Sequence, residues 1–558
     1  MIEPFLRGQM MEEPLLVSSM LKHAQRSHGT TEIVTRLPDG TLGRSSWDCV
    51  ARRAAQAAHA LTTVGLGMSE RAGTLAWNTT RHLELYYAIP SMGSVLHTIN
   101  PRLFEEQLLY IIQDADDRII FFDPHLLPLV ATLAPKLPRV RRWIMLCDAA
   151  QLAFEAATAG AAADAAAVAA VPGLQDYESF LSGHPDQFVW PDLPEESAAA
   201  LCYTSGTTGN PKGVLYSHRS TLLHTLVTIA PDVLNLSARD TVLPVVPMFH
   251  VNAWGLPFSC AVTGARLVLP GRQLDGDSLF DLLDGEGVTL SVGVPTVWLA
   301  LLETLRARGR KPARLERLMV GGSACPPALS DAFTEEFGIE VLHGWGLTET
   351  SPVAALASPR NTTTPEVAAT LRYRQGRPLF GIELEIVGPA DEVLPHDGKT
   401  SGNLMVRGHW VASSYFPAER NGSALHNGWF PTGDIANIDA EGFVQITDRS
   451  KDVIKSGGEW ISSIDLENAA LAHPGVAQAA AIGIPHPKWD ERPLLLVIPR
   501  AGAEISKESI LEVLAARVAK WWLPNDVIFV QSLPMTATGK LSKLALRREY
   551  REFRFPDA

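Results

Sequence analysis

The chain has 558 residues, 46% of them hydrophobic and 20% charged, and this length exceeds one compact core, so two to four folding units are expected. The formal net charge of −13 excludes broad nucleic-acid binding, because a phosphate backbone requires a basic face. A small anionic substrate in a local basic pocket stays compatible with that charge.

The cysteines and the N-terminus indicate the cellular compartment. The five cysteines show no CxxC pair and no zinc-ligand spacing, which is typical of reduced thiols in a cytoplasmic protein; they are Cys49, Cys147, Cys202, Cys260 and Cys325. The first residues lack the basic start, apolar run and cleavage site of a signal peptide. The alanine-rich stretch 149–171 is too weakly apolar to span a bilayer, so we expect a partly helical surface insertion and no transmembrane segment.

Short apolar runs and amphipathic stretches alternate through the first part of the chain. Segments 69–78 and 117–127 show this alternation, and it continues from about residue 198 to residue 350. Clear examples are the run 290–295, the helical pattern 296–309, and the runs 318–320 and 339–342. Strands that alternate with helices at this pace predict largely parallel sheets covered by helices.

The pattern changes after Gly376. Segments 381–387, 402–408 and 441–449 alternate between apolar and polar residues and are separated by turn residues, which predicts a small β unit. Segment 451–460 contains glycines and resembles a hinge, and the remainder, with a helical pattern over 510–522, predicts a separate domain. We therefore predict an α/β protein with a large N-terminal domain, residues 1–450, and a small mobile C-terminal α+β domain, residues 451–558.

Segment 203–214, YTSGTTGNPKGV, is the most informative motif. Its glycines permit close approach to a phosphate chain, and its hydroxyls and lysine can bind phosphate oxygens; these residues are Ser205, Gly206, Thr207, Thr208, Gly209, Lys212 and Gly213. The alternative interpretation is a Gly/Thr-rich surface turn. A Walker loop is excluded because it requires Ser or Thr directly after the lysine, where this chain has Gly213.

Six motifs in order resemble those of the adenylate-forming superfamily, which comprises acyl-CoA synthetases, peptide-synthetase adenylation domains and firefly-type luciferases. They lie at 203–213, 247–254, 344–350, 432–434, 448–460 and 538–540. Segments 245–255, 454–463 and 486–497 are similar to medium- and long-chain fatty acyl-CoA synthetases, above all to bacterial medium-chain enzymes and their relatives that act on methylmercaptopropionate. The resemblance implies ATP, Mg²⁺ and coenzyme A as co-substrates and cofactor.

The resemblance also implies residue roles for the nucleotide. Thr204 and Glu349 would hold Mg²⁺, a cation that prefers oxygen ligands. Trp345 would stack on adenine and Asp434 would accept hydrogen bonds from the ribose hydroxyls. The full implied set for ATP or AMP is Thr204, Ser205, Gly206, Thr207, Thr208, Gly209, Lys212, Gly322, His343, Gly344, Trp345, Thr348, Asp434, Arg449, Lys455 and Trp460.

The implied catalytic residues are Lys540, Glu349, Thr204 and His250. Attack of a carboxylate on the α-phosphate brings two anions together, and a lysine on a mobile loop can offset that repulsion and then withdraw. Out of context, the TGK lysine would be read as a solvated surface charge. His250 would lie between the carboxylate site and the thiol entrance.

The remaining implied roles concern the acid, the hinge and coenzyme A. Trp254 would block the acyl channel until nucleotide binds, although core packing explains the apolar channel residues almost as well. The acyl-binding residues would be Val251, Trp254, Val294, Gly322 and Ser323; the hinge would be Lys451; the coenzyme A contacts would be Gly457 and Gly458.

We therefore predict an ATP-dependent fatty acid–CoA ligase that favours medium chains, with a methylmercaptopropionate- or aryl-CoA ligase as the alternative. A peptide-synthetase domain would have a carrier module downstream, and nothing follows Ala558. A non-catalytic binding module should lack Glu349, Asp434 or Lys540, and all three are present. No residue argues for an oxidative luciferase. A homodimer that acts on small molecules in the cytoplasm is expected.

Overall fold

The computed structural model describes residues 6, 8–152, 170–204, 210–358, 363–457, 459–536 and 540–555. Most of the predicted insertion at 149–171, residues 205–209 of the glycine-rich motif, Gly458, and residues 537–539 beside Lys540 lie outside the described residues. Within the part described, no helix is both long enough and apolar enough to cross a membrane.

Four β-sheets organise the described chain. The strands are β1 Glu32–Arg36, β2 Leu42–Ser46, β3 Arg71–Leu75, β4 Val95–Thr98, β5 Asp117–Phe122, β6 Arg142–Met145, β7 Leu174–Asp176, β8 Ala198–Tyr203, β9 Gly213–Ser217, β10 Thr241–Pro244, β11 Arg266–Leu269, β12 Leu290–Gly293, β13 Arg317–Val320, β14 Glu340–Gly346, β15 Val353–Leu356, β16 Arg377–Pro378, β17 Ile382–Val387, β18 Gly402–Gly408, β19 Phe430–Ile438, β20 Val444–Arg449, β21 Ile454–Ser456, β22 Glu459–Ile461, β23 Val476–His486, β24 Asp490–Pro499 and β25 Asp526–Phe529.

The helices cover the sheets. They are α1 Val17–His28, α2 Trp47–Thr63, α3 Thr80–Ser91, α4 Glu105–Ala115, α5 Leu127–Leu133, α6 Tyr177–Leu181, α7 His218–Thr228, α8 Leu256–Thr263, α9 Gly276–Gly285, α10 Pro295–Arg308, α11 Pro327–Asp331, α12 Pro365–Leu371, α13 Ala418–Asn421, α14 Ser463–Leu471, α15 Lys507–Ala515 and α16 Lys543–Glu549. Short 3₁₀ turns lie at Pro124–Leu126, Ala134–Lys136, Val251–Gly255, Thr348–Thr350 and Lys520–Trp522, and a π-helical turn at Ala332–Glu336.

Two large sheets form the body of the N-terminal part. One has the strand order β7-β6-β5-β3-β4-β8-β9, and the other has the order β16-β15-β14-β13-β12-β10-β11-β1-β2. All neighbours from β7 to β8 and from β14 to β1 pair in parallel, whereas β9, β2, β15 and β16 pair antiparallel at the edges. Helix α3 contacts β1 of one sheet and β4 and β8 of the other, so it packs between them. The predicted α/β class is confirmed.

Helix α2 shows how the sequence determines this packing. Ser46 caps the helix by accepting the N–H of Cys49, and alanines recur along the buried side. The small alanine side chains allow close approach of neighbouring elements, and Trp47 packs edge-on against Tyr87 of α3. Trp47, Tyr86 and Tyr87 are fully buried and belong to a core cluster that also includes residues of the later strands, such as Leu267 of β11 and Val292 of β12.

The small β unit and the C-terminal domain follow. Strands β17 to β20 form an antiparallel sheet, and inward residues of β17 alternate with more exposed ones, as the alternating sequence predicts. Strand β20 ends at Arg449 and β21 begins at Ile454. The last sheet, β21 to β25, has α14 and α15 against one face, whereas α16 packs with β23.

The C-terminal helix differs from the predicted pattern over 510–522. Helix α15 ends at Ala515, and Lys520–Trp522 forms a separate 3₁₀ turn. The Arg492 guanidinium donates to the carbonyl oxygens of Trp521 (2.9 Å) and Leu523 (3.0 Å). Ala519, which lies between α15 and this turn, has extended backbone (φ −61°, ψ 143°) that a continuous helix does not contain, so the helix is interrupted, and Arg492 holds the turn that follows.

Candidate active site

A cavity of about 530 Å³ lies where the carboxyl ends of several parallel strands meet. Residues that follow β8, β10, β12 and β13 line it together with β14, and Lys451 and Lys540 are added from the last part of the chain. Ligands in open α/β sheets bind outside the carboxyl ends of the strands, so this location is the one that the topology favours. The cavity is the candidate active site.

The wall after β10 is a turn of left-handed backbone. Val251, Asn252, Ala253 and Trp254 have φ values of +47°, +52°, +48° and +56°. Non-glycine residues in this region cost about 1–3 kcal/mol each, so surrounding contacts must hold the turn. The Asn78 side chain donates to the carbonyls of Pro244 (2.9 Å) and Val246 (3.0 Å) and accepts the N–H of Met248 (2.6 Å).

Tyr86 completes this support, because its hydroxyl contacts the carbonyl of Met248 and lies 3.3 Å from Oδ1 of Asn252. Sequence analysis missed both Asn78 and Tyr86, since each is far from the turn in the chain. The turn directs the Trp254 indole into the cavity, where the side chain is 7% exposed.

Two adjacent glycines face this indole and Lys540. A Cβ at Gly321 would lie 2.9 Å from Cη2 of Trp254, so only glycine leaves the indole its space. Gly322 has φ +79°, and a Cβ there would lie 3.3 Å from Cγ1 of Val294 and 3.4 Å from Cε of Lys540. The predicted residues Gly322, Val294, Val251 and Trp254 therefore lie together, and Gly321 joins them.

Lys540 reaches the cavity from the C-terminal domain. Its ammonium group is surrounded by protein, and burial, followed by the Arg449 charge, lowers its pKa to about 8, while Asp434 and Glu349 act in the opposite direction. His250 lines the same cavity, and burial, with a smaller contribution from Lys540, lowers its pKa to about 3. His250 is therefore neutral at physiological pH and can exchange hydrogen bonds without adding charge.

The phosphate side of the cavity contains Thr204, Lys212, Glu349 and Tyr415. The Thr204 N–H donates to the Lys212 carbonyl (2.9 Å), which closes the base of the glycine-rich loop. The Tyr415 hydroxyl donates to Oε1 of Glu349 (2.7 Å), and the Lys212 ammonium lies 4.6 Å from the Tyr415 ring centre. Burial, followed by the Glu349 charge, raises the pKa of Tyr415. Tyr415 was not predicted, because an isolated tyrosine in a turn carries no sequence signal.

The predicted Mg²⁺ site fits this donor set. Thr204 and Glu349 supply one hydroxyl and one carboxylate, and Mg²⁺ is typically held by one or two protein oxygens together with phosphates and water. Among the described residues, no group of three or more His, Cys, Asp or Glu side chains could enclose a metal. A Mg²⁺ ion that is held by Thr204, Glu349 and the phosphates of the substrate does not require such a group.

The adenosine side differs in detail from the expected stacking arrangement. The Trp345 indole N–H donates to Oδ2 of Asp434 (2.9 Å), and Nε of Arg449 lies 2.7 Å from Oδ1 of the same carboxylate. Asp434 is 2% exposed and does not itself line the cavity, whereas Trp345, Arg449, Gly344 and Thr348 do. A ribose that bonds Asp434 would therefore compete with the Trp345 N–H.

The other predicted residues lie away from the cavity. His343 is buried, accepts the N–H of Cys325 (3.3 Å), and has a pKa lowered by burial to about 4. The remaining residues do not line the cavity either: Ser323, Lys455, Gly457 and Trp460. The last three lie on the β21–β22 hairpin, and Trp460 is 44% exposed. Their roles stay predictions that require the small domain to move.

Arg102 lines the cavity and was also not predicted. Its guanidinium lies 4.7 Å from the ring centre of Trp77 and 6.0 Å from that of Phe249, and burial lowers its pKa. No motif surrounds it in the sequence, so only the fold identifies it as a cavity residue.

The chain is thus a two-domain protein, in which a large α/β domain forms a cavity and a smaller C-terminal domain places Lys540 in it. Residues 21–416 match the family model described as "AMP-binding enzyme", and residues 465–540 match "AMP-binding enzyme C-terminal domain". The chain belongs to the AMP-binding enzyme family.

Relatives match over nearly the whole chain. The 3-methylmercaptopropionyl-CoA ligase of Ruegeria lacuscaerulensis is 50% identical, covering 98% of this chain and 99% of that protein. The medium-chain-fatty-acid–CoA ligase of Ectopseudomonas oleovorans is 48% identical, covering 97% of each. The fold is also that of the anthranilate CoA ligase AuaEII in complex with anthranoyl-AMP, with a TM-score of 0.84, 24% identity, and coverage of 98% and 99%.

Proposed function

We propose that the protein is an AMP-forming acid–CoA ligase. In the first step the acid carboxylate attacks the α-phosphate of ATP, giving acyl-AMP and pyrophosphate. In the second step the thiol of coenzyme A attacks the acyl carbon, giving the thioester and AMP. The observation that carries the proposal is the Lys540 ammonium beside Gly322, inside a cavity that Thr204 and Glu349 also line.

Several residues of the cavity have separate roles in the first step. Lys540 and Lys212 offset the negative charge of carboxylate and phosphates as they approach. Thr204 and Glu349 would hold Mg²⁺, which would supply charge neutralisation at the phosphates. Tyr415 orients Glu349 through its hydrogen bond. Neutral His250 contacts the carboxylate region without competing with Lys540 for the negative charge.

The acid is proposed to be a medium-chain fatty acid. The walls on that side of the cavity are apolar and include Val251, Val294, Val297, Met319 and Trp254. Each methylene buried there is worth about 0.8 kcal/mol, which favours a medium-chain fatty acid once the indole turns aside. A short acid such as 3-methylmercaptopropionate is the second candidate, since Trp254 in its present position over Gly321 restricts the channel.

A pyrophosphate-release screen tests the chemistry and the acid together. It compares acids from propionate to palmitate, 3-methylmercaptopropionate and benzoate, each with and without coenzyme A. We expect release to require an acid and thioester to require coenzyme A, with kcat/KM rising from butyrate to octanoate. A maximum at 3-methylmercaptopropionate or benzoate would overturn the fatty-acid assignment, and absence of release with every acid would overturn the ligase assignment.

Domain organisation and assembly complete the proposal. The boundary between residues 450 and 451, with Lys451 as the hinge, is supported by the interval between the end of β20 and the start of β21. Gly457 and Gly458 would contact coenzyme A after rotation of the small domain. The homodimer and the cytoplasmic location stay predictions; light scattering of the purified protein and fractionation of cells test them.

A further inference from the structure

Buried charges cross from the large domain to the small domain beside the hinge. Asp448 on β20 is 1% exposed, and its Oδ2 accepts both the N–H (2.6 Å) and the hydroxyl (2.7 Å) of Ser463, the first residue of α14. The neighbouring Ser462 hydroxyl donates to the Thr447 carbonyl. Two consecutive residues of β20 are thus bonded to two consecutive residues of the small domain.

Helix α16 contributes the opposite charge. Lys543 is 9% exposed, and its Nζ lies 2.8 Å from Oε1 of Glu467 and also donates to the Ser463 hydroxyl. Burial lowers the pKa of Lys543, but Glu467 and Asp448 raise it more, so it lies above the ordinary value. We call Asp448, Ser463, Glu467 and Lys543 the hinge cluster. Its lysine stands three residues after Lys540 in the chain.

The chain connectivity divides this cluster at the hinge. Asp448 precedes Lys451, whereas Ser463, Glu467 and Lys543 follow it. A rotation at Lys451 that takes Lys540 out of the cavity must move Ser463 away from Asp448. The Lys543–Glu467 pair lies within the small domain and moves with it unchanged. The contact of Asp448 with Ser463 therefore exists in one orientation of the small domain and is lost in the other.

We propose that Asp448 and Lys543 are positioning residues whose cluster holds the small domain in the orientation that places Lys540 in the cavity. The proposal rests on the two-step ligase function, because only a two-step reaction requires the orientation to change. Hydrogen bonds to a charged group are strong enough to shift an equilibrium by about tenfold or more when the charge is removed. Asp448 therefore determines the fraction of enzyme molecules in the orientation for acyl-AMP formation and the fraction in the orientation for thioester formation.

Asp448→Asn tests the charge with little change of shape. We expect acyl-AMP formation to fall about tenfold, and thioester formation from pre-made acyl-AMP to stay unchanged or rise. The matched control is Asp526→Asn, which removes a carboxylate paired with Lys507 (2.6 Å) wholly within the small domain and away from the hinge cluster. That control should leave the ratio of the two half-reactions unchanged.

Lys543 requires its own design, because its removal alone leaves buried carboxylates without a partner. Lys543→Arg should retain the ratio, and the neutral double variant Lys543→Met with Glu467→Gln should shift it in the direction of Asp448→Asn. Melting temperatures show whether each variant is folded. Asp448→Asn that loses both half-reactions equally and melts at a lower temperature would reduce the cluster to a structural role and overturn the proposal.

A substrate-free measurement separates this proposal from the ligase assignment. Nη1 of Arg500 on the small domain lies 3.8 Å from Oε1 of Glu303 on α10. Glu303→Cys with Arg500→Cys, treated with a short bis-maleimide, reports the present orientation by its crosslinking rate; the chain without these substitutions is the blank. We expect Asp448→Asn to slow crosslinking and Asp526→Asn to leave it unchanged. Equal crosslinking rates with and without Asp448→Asn would overturn the proposal. If Asp448→Asn slows crosslinking but the wild-type protein forms no acyl-AMP with any acid, the ligase assignment alone is overturned.

Discussion

Nucleotide binding should be coupled to proton uptake at Lys540. With a pKa of about 8, roughly a quarter of the Lys540 side chains carry a proton at pH 8.5, against about nine tenths at pH 7.0. A phosphate chain placed beside the ammonium favours its charged form and raises the pKa towards the ordinary value of about 10.5. Binding should therefore take up about 0.75 proton at pH 8.5 and about 0.1 at pH 7.0.

Calorimetry in buffers of different ionisation enthalpy measures this uptake directly. An α,β-methylene analogue of ATP with Mg²⁺ prevents the reaction, and at pH 8.5 the free nucleotide is already deprotonated. The slope of binding enthalpy against buffer ionisation enthalpy gives the number of protons taken up. The raised pKa corresponds to about 3 kcal/mol of coupling between the proton and the nucleotide.

Lys540→Ala is the matched control. It should bind the analogue more weakly and show no slope at pH 8.5, because the titrating group is absent. The same reasoning gives a pH profile: kcat/KM for ATP, which reports the free enzyme, should fall above about pH 8, while kcat should hold to higher pH. A wild type with no slope at pH 8.5, or a slope that persists in Lys540→Ala, would refute the assignment of the proton to Lys540.

Further substitutions test the cavity and the hinge. Lys540→Ala should slow acyl-AMP formation by at least about 100-fold and leave thioester formation from pre-made acyl-AMP much less affected, measured as separate half-reactions; equal losses would contradict its role. Gly321→Ala should displace the Trp254 indole, which lies 2.9 Å from the added Cβ, and lower kcat/KM for octanoate about tenfold while butyrate changes little; an unchanged ratio of the two acids would contradict the channel. Trp254→Ala should let octanoate bind without nucleotide, measured by calorimetry, and should cost about 3–5 kcal/mol of stability if the space stays empty. Lys451→Pro should fix one backbone torsion and keep acyl-AMP formation while coenzyme A-dependent turnover is lost; full turnover at the wild-type rate would exclude the hinge role.

The sequence predicts the elements better than their arrangement. Alternation in β17 and the apolar run of β5 follow directly from which faces are buried. The pairing of β1 with β11 joins residues more than 200 positions apart, and no local pattern encodes it. Helix α15 ends at Ala515, and extended backbone at Ala519 separates it from the 3₁₀ turn that Arg492, distant in the chain, binds; the periodic pattern shows neither feature.

The candidate site likewise combines residues that local motifs predict with residues that only tertiary contacts identify. Lys540, Glu349, Lys212 and Trp254 stand in motifs and were predicted, and the fold brings all four to one cavity. Tyr415, by contrast, acquires its role from a hydrogen bond to Glu349, and Asn78 from contacts with a turn about 170 positions away. Such roles arise from tertiary neighbours, so neither residue type nor spacing reveals them.

The left-handed turn at Val251–Gly255 has a consequence for the selection of heat-resistant variants. A screen that rewards melting temperature alone would favour glycine at Ala253, because glycine adopts φ +48° without steric cost. The added stability would come from the segment that positions the Trp254 indole, and a more flexible backbone there would allow the indole to adopt several orientations. Variants that survive heating best would then discriminate least among acids, so such a screen needs a second criterion that scores selectivity.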